Sequence, residues 1–251
     1  MPEWRWALAS TIGTSHLKSG TACQDRHRCT LLGPRRDQLL ALVSDGAGSA
    51  AFGGEGAALT CRIIAESARA WFTAENGVPD DEVIHGWLDE LRDLIHLAAK
   101  KRHIAARQFS ATLVGALVND ETAIFFHIGD GGIVIECDGS WIVPSWPEMG
   151  EYASSTFFVT DDPAPRLRIT RLVGRIQKLA LFSDGLEKLV LNFAAQSAHA
   201  PFFEGMFGPV SALKQAGRDE KLSAALDGYL RSEAVNARTD DDKSLILALR
   251  R

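Results

Sequence analysis

A chain of 251 residues, 46% hydrophobic and 24% charged, can bury one sizeable core and has the composition of an ordinary globular protein. Its formal net charge of −5 argues against a grip on nucleic acid driven by phosphate neutralisation, and no apolar run approaches the length that spans a bilayer. Cys23, Cys29, Cys61 and Cys137 have neither zinc-ligand spacing nor disulfide-scaffold density, and MPEWRWALAS lacks the basic start and apolar middle of a secretory leader, so a cytoplasmic protein is expected.

In chain order, WRWALASTIGTSH reads as a strand running into a Gly/Ser loop, and RHRCTLL and QLLALVS as strands joined by a turn at Gly33-Pro34. Apolar residues at three- and four-residue spacing predict a helix from Gly54 to about Ala74. A second helix follows over DEVIHGWLDELRDLIHLAAKKRHIAARQ, with acids in its first turn and bases in its last, as the helix dipole favours. FSATLVGALVND, ETAIFFHIGD and GIVIECDGSWIV are strands, with a hairpin at Asn119-Asp120 and a turn at Asp138-Gly139. STFFVTDD and RLRITRLV read as shorter strands, and QKLALFSDG as a buried one. The region from Leu186 to about Ala234 is helical but broken at Pro201, Gly205, Gly208 and Pro209, hence two or three helices, and KSLILALR closes the chain. Segregated strands and helices predict an α+β fold of antiparallel sheets with helices packed outside, in a single domain over residues 1–251.

Three apolar runs end in Asp-Gly: ALVSDGAG (Asp45), AIFFHIGDGG (Asp130) and LALFSDGL (Asp184). A fourth, DDDKSLILAL, begins with Asp240, Asp241 and Asp242. Asp-Gly is a common hairpin turn, but Asp45 leads into a Gly-rich segment that opens a helix, not into a returning strand. Acids at several buried strand ends are costly unless neutralised, and a divalent cation with oxygen ligands does that.

GTSH…ACQD (13 to 25), VSDGAGSA..GGEGA (43 to 57), FSATLVGAL (109 to 117), HIGDGG (127 to 132), LFSDGLEKL (181 to 189) and DDKSLIL (241 to 247) together resemble the metal-dependent protein serine/threonine phosphatases of the PP2C (PPM) family, in particular its small bacterial branch. GEYASSTFFVT (150 to 160) is similar to a segment of the same branch. The resemblance implies a four-layer αββα sandwich, two antiparallel sheets flanked by antiparallel helix pairs, with a flap-like insertion around 144–170. It implies two Mn²⁺ or Mg²⁺ ions and a possible third, and hydrolysis of phosphoserine or phosphothreonine by a hydroxide bridging two of them. By motif, Asp45 resembles the bridging carboxylate, with the Gly46 carbonyl as a further ligand. Asp184 and either Asp241 or its neighbour Asp242 resemble the remaining carboxylates of the first metal. Asp25 resembles an acid that holds metal-bound water from behind the ligands, and Asp130 with Asp184 a weaker third site. A phosphorylated protein is the implied partner, opposing a Ser/Thr kinase.

Two departures bear on substrate. Many relatives place a phosphate-gripping Arg where this chain has Gly20; His16, Lys18 and more weakly Arg26 are the nearby cations, with His16 preferred as phosphate ligand, and protonation of the leaving group falls to metal-bound water or His16. Eukaryotic relatives often carry a His where this chain has Ala47. His127 alternates within a strand and reads as structural. These departures leave open a catalytically weak phosphatase-like domain that binds phosphoprotein as a regulatory module. A nucleotide-binding enzyme is the other rival, because GAGSAA after a strand imitates a dinucleotide loop, but Asp45 there would repel a pyrophosphate.

Overall fold

The computed structural model describes residues 3–148 and 156–251. In chain order it runs β1 (Trp4–Thr11), the short helix α1 (Thr14–Ser19), β2 (Arg26–Leu32) and β3 (Gln38–Ser44), then two long helices, α2 (Gly53–Thr73) and α3 (Asp81–Lys101). A strand block follows: β4 (Leu113–Val118), β5 (Thr122–Ile128), β6 (Gly132–Cys137), β7 (Ser140–Ser145), β8 (Arg168–Val173) and β9 (Ile176–Phe182). The last part holds α4 (Glu187–Val190), the two-residue strands β10 (Leu191–Asn192) and β11 (Ser197–Ala198), α5 (Ala200–Ala212), β12 (Gly217–Arg218), α6 (Glu220–Leu230), α7 (Glu233–Asn236) and β13 (Lys243–Arg250).

The strands form a six-stranded sheet in the order β12-β1-β13-β9-β6-β7 and a five-stranded sheet in the order β2-β3-β4-β5-β8. Their central strands are continuous apolar runs because they are covered on both faces. In β3, Leu40 and Leu42 face the helices α2 and α3, while Leu39, Ala41 and Val43 face the other sheet. In β13, Ile246 and Ala248 face that same inter-sheet core, while Leu245, Leu247 and Leu249 face α5 and α6. Period-two alternation thus divides the apolar residues among three cores, and the result is helix, sheet, sheet, helix. Gly115 serves this packing: it pairs with Phe126 across β4 and β5, and a Cβ there would stand 1.9 Å from the Phe126 ring.

Four local expectations need correction. The loop after β1 contains the helix α1. STFFVTDD is not a strand over its described part: Phe158 N–H donates to Asp161 Oδ2, closing a turn, and Arg92 binds the carbonyls of Val159 and Asp161. The alternating pattern there comes from Val159 dropping into the helix-facing core. The region from Leu186 to Ala234 holds the β10–β11 hairpin between helices. One strand pair is parallel, since β12 lies along β1 at the sheet edge. Tyr152 lies outside the described residues, as does the part of the expected flap from 149 to 155.

Candidate metal centre

Strand register brings the acids to one end of the sandwich. Arg26 pairs with Ser44, so Asp25 and Asp45 follow each other across the end of β2 and β3. Asp45 in turn exchanges hydrogen bonds with Thr112, its N–H donating to Oγ1 (2.9 Å) and its carbonyl accepting from Thr112 N (2.8 Å). Leu245 pairs with Phe182, and Ser183 N–H donates to the Ser244 carbonyl, which sets Asp184 beside the residues before β13. Asp130 occupies the connection from β5 to β6, next to the Gly132–Phe182 pair.

Glycines allow the segments to meet. A Cβ on Gly185 would lie 2.0 Å from the Asp242 carbonyl, one on Gly13 2.3 Å from the Asp241 carbonyl carbon, and one on Gly46 2.2 Å from the Gly53 carbonyl carbon. Three backbone crossings at the acid-bearing turns therefore require the missing side chain.

The electrostatics follow from this crowding. Asp25 is fully buried, and its carboxyl is pushed up to about 6 by burial, with hydrogen bonds from Ser183 and Asp45 working in the opposite direction. Ser183 Oγ donates to Asp25 Oδ2 at 2.6 Å, while Oδ1 has no partner. Asp25 and Asp45 stand within hydrogen-bonding reach of each other, which two ionised carboxylates do not tolerate without a proton or a cation. Asp45 is raised well above the usual carboxylate range by burial and then by the charges of Asp25 and Asp184. Asp184 is raised by burial and by Asp130 and Asp241. Asp130 is raised by burial, against a hydrogen bond from the Thr156 hydroxyl. The fully buried Lys243 supplies one positive charge, but its Nζ is held by Asn236 Oδ1 and the Asp241 carbonyl.

The two neighbouring acids separate clearly. Asp242 is buried; its Oδ1 accepts from Gly13 N–H and its Oδ2 from Gln24 N–H, both at 2.6 Å. His16 Nδ1 lies 3.0 Å from Asp242 Oδ2. Asp242 is therefore occupied in fastening α1 and the segment before β2. Asp241 instead exerts its charge on Asp45, Asp184 and Asp130. Lys18 is exposed near the end of α1 and forms no ion pair among the described residues. Arg26 is spent on the carbonyls of Cys23 and Asp25.

One participant is absent from the sequence reading. Glu187 at the start of α4 is buried, its carboxyl is pushed up to about 7 by burial and then by Asp130, and its Oε2 has no partner. The available signal was its position, three residues after Asp184 and so within one helical turn of it.

Among the described residues no three of these side chains form a closed ligand cage. The donor set nevertheless fits a hard divalent cation. It is oxygen only, it carries more negative charge than Lys243 offsets, and it leaves a buried oxygen of Asp25 without a partner. Mg²⁺-like ions use few carboxylates and complete their shell with water, so a cage of side chains is not required.

Comparison with known proteins identifies relatives of the whole chain. The family model described as Protein phosphatase 2C matches residues 12–227. Serine/threonine-protein phosphatase 3 of Escherichia coli K12 is 37% identical over 251 residues, 98% of either chain. Among solved structures, PppA of the Pseudomonas aeruginosa type VI secretion regulatory system superposes with a TM-score of 0.66 at 16% identity, covering 100% of both chains. Stp1 of Staphylococcus aureus gives 0.63 at 16% identity over 97% of this chain and 94% of its own. The catalytic domain of PstP, solved in complex with two manganese ions, gives 0.65 at 14% identity over 100% of this chain and 99% of its own.

Proposed function

The chain belongs to the protein phosphatase 2C family, and from that premise we propose that it is a metal-dependent hydrolase of phosphoserine and phosphothreonine in proteins. The observation that carries the reading is the gathering of Asp45, Asp130, Asp184 and Asp241 around buried Asp25 at one end of the sandwich. Asp45 with the Gly46 carbonyl, Asp184 and Asp241 would hold two Mn²⁺ or Mg²⁺ ions, and Asp130 with Asp184 would hold a weaker third. When bound, such ions supply Lewis acidity and a nucleophile near neutral pH.

The chain's own groups do the rest. Ser183 fixes Asp25, and Asp25 braces Asp45 from the buried side. Thr112 fixes the backbone of Asp45. His16, whose Nδ1 lies 3.0 Å from Asp242 Oδ2 without a hydrogen bond, is the ring assigned to substrate phosphate or the departing oxygen. A Ser/Thr kinase that supplies the phosphorylated substrate is part of the same proposal.

Hydrolysis of p-nitrophenyl phosphate and of a phosphothreonine peptide with Mn²⁺, with and without EDTA, tests it. Turnover that needs the metal and is lost in Asp184→Asn is expected. Bound metal without turnover in the wild type would replace the enzyme with a phosphoprotein-binding module.

A further inference from the structure

A groove of about 610 Å³ that the proposed chemistry does not use runs between α4, the start of α5, the end of α6 and the segment after α7. Its basic walls are Lys188, His199 and Arg238, and its aromatic surfaces come from Phe193, Phe202 and Tyr229. Both ends of the groove are tied to the acid-bearing turns. Lys188 follows Asp184 by four residues and Arg238 precedes Asp241 by three, so each cation is at most ~14 Å of chain from a site acid.

Three features suit a ligand of one kind. Lys188, His199 and Arg238 are exposed, and none joins an ion pair among the described residues of a chain whose net charge is −5. The nearby Asp227 is already engaged by Arg231 at 2.9 Å, so it does not quench the groove. Phe193 and Tyr229 expose 38% and 39% of their surface, large apolar rings left at the rim of a charged cleft. Lys188 and Arg238 lining one cleft with exposed aromatic rings match a peptide with acidic side chains and one large apolar side chain.

Resting on the phosphatase reading, we propose that this groove docks an acidic, aromatic-bearing stretch of the phosphoprotein substrate, a few residues from the phosphorylated one. An extended chain advances ~3.3 Å per residue, so such a stretch reaches the groove while the phosphate lies at the acids. Electrostatic docking also steers an acidic substrate towards a face that its own carboxylates would otherwise make repulsive.

The test uses phosphothreonine peptides with an Asp-Glu-Phe-Asp tail on either side, against the same peptides with neutral or Lys-rich tails. The wild type with Mn²⁺ is expected to prefer one acidic-tail peptide by roughly ten-fold in kcat/KM, mainly through KM, and to lose the preference in high salt. Lys188→Gln with Arg238→Gln abolishes the preference, while Lys188→Arg keeps it. Equal turnover of all tails, or a preference that survives the double substitution, overturns the proposal while leaving the phosphatase reading intact. Anisotropy of the unphosphorylated acidic peptide in EDTA reads the groove separately. If no peptide is hydrolysed but this peptide binds the wild type and not the double variant, docking stands and the enzyme reading fails. Absence of binding in that assay removes the groove.

Discussion

Replacing Asp242 and Asp241 separately by Ala separates the two acids by what they do without any metal. Asp242→Ala removes the acceptor for two N–H groups, the buried one of Gly13 and the half-buried one of Gln24, each bonded at 2.6 Å. Each orphaned donor costs about 1–3 kcal/mol, so the variant loses about 4 kcal/mol. In a domain of this size 1 kcal/mol moves the melting temperature by about 2–4 °C, so a fall of about 10 °C is expected in EDTA. Asp241→Ala forfeits one bond, from Asp242 N–H at 2.8 Å, and relieves repulsion on Asp45, Asp184 and Asp130. Those effects oppose each other, and its melting temperature in EDTA stays within about 3 °C of the wild type. Adding Mn²⁺ at a hundred times its Kd stabilises a competent protein by about 2.7 kcal/mol. Asp242→Ala keeps that rise and Asp241→Ala loses it. Differential scanning calorimetry with and without Mn²⁺ measures both. Inverted results, with Asp241→Ala the less stable apoprotein or the better metal binder, would refute the division of roles.

Gly185→Ala drives a Cβ to within 2.0 Å of the Asp242 carbonyl. It is expected to separate Asp184 from Asp241 and weaken Mn²⁺ binding at least ten-fold by isothermal titration calorimetry; unchanged affinity would show that this crossing does not position the ligands. His127 is fully buried and held down to about 3, by burial first and then by the charge of Arg168. Because its folded value lies below the unfolded 6.5, the unfolded chain binds the extra proton, and stability falls as pH drops from 6.5 towards 3. Urea unfolding at pH 7 and pH 4 should show His127→Asn losing less stability than the wild type, by up to about 3 kcal/mol. Equal losses would mean that His127 gains its proton without unfolding.

The apolar runs were legible because each is apolar on both faces, so composition alone marked β3, β4, β9 and β13 as buried. Their division between the two sheets was not, since alternation within an all-apolar run carries no contrast. Phe157 to Thr160 misled for the opposite reason: aromatic and β-branched residues imitate a strand, while Asp161 and Arg92 tie the backbone into a turn. At the site, the Ser-Asp-Gly context of Asp45 and Asp184 made their place at the ends of β3 and β9 legible. The choice between Asp241 and Asp242 was not, because it depends on Gly13 and Gln24, 229 and 218 residues distant in the chain. Glu187 escaped because a Glu after an Asp-Gly turn looks like any solvated helix start until its burial is known.

The last strand to appear in the sequence, β13, lies in the interior of the six-stranded sheet between β1 and β9, and Asp241 stands just before it. A fragment that stops short of residue 241 therefore lacks both an inner strand and a charge from the cluster. Half-made or clipped copies of this chain would be mute towards phosphoproteins, and cellular proteases would meet them with a sheet split down its middle.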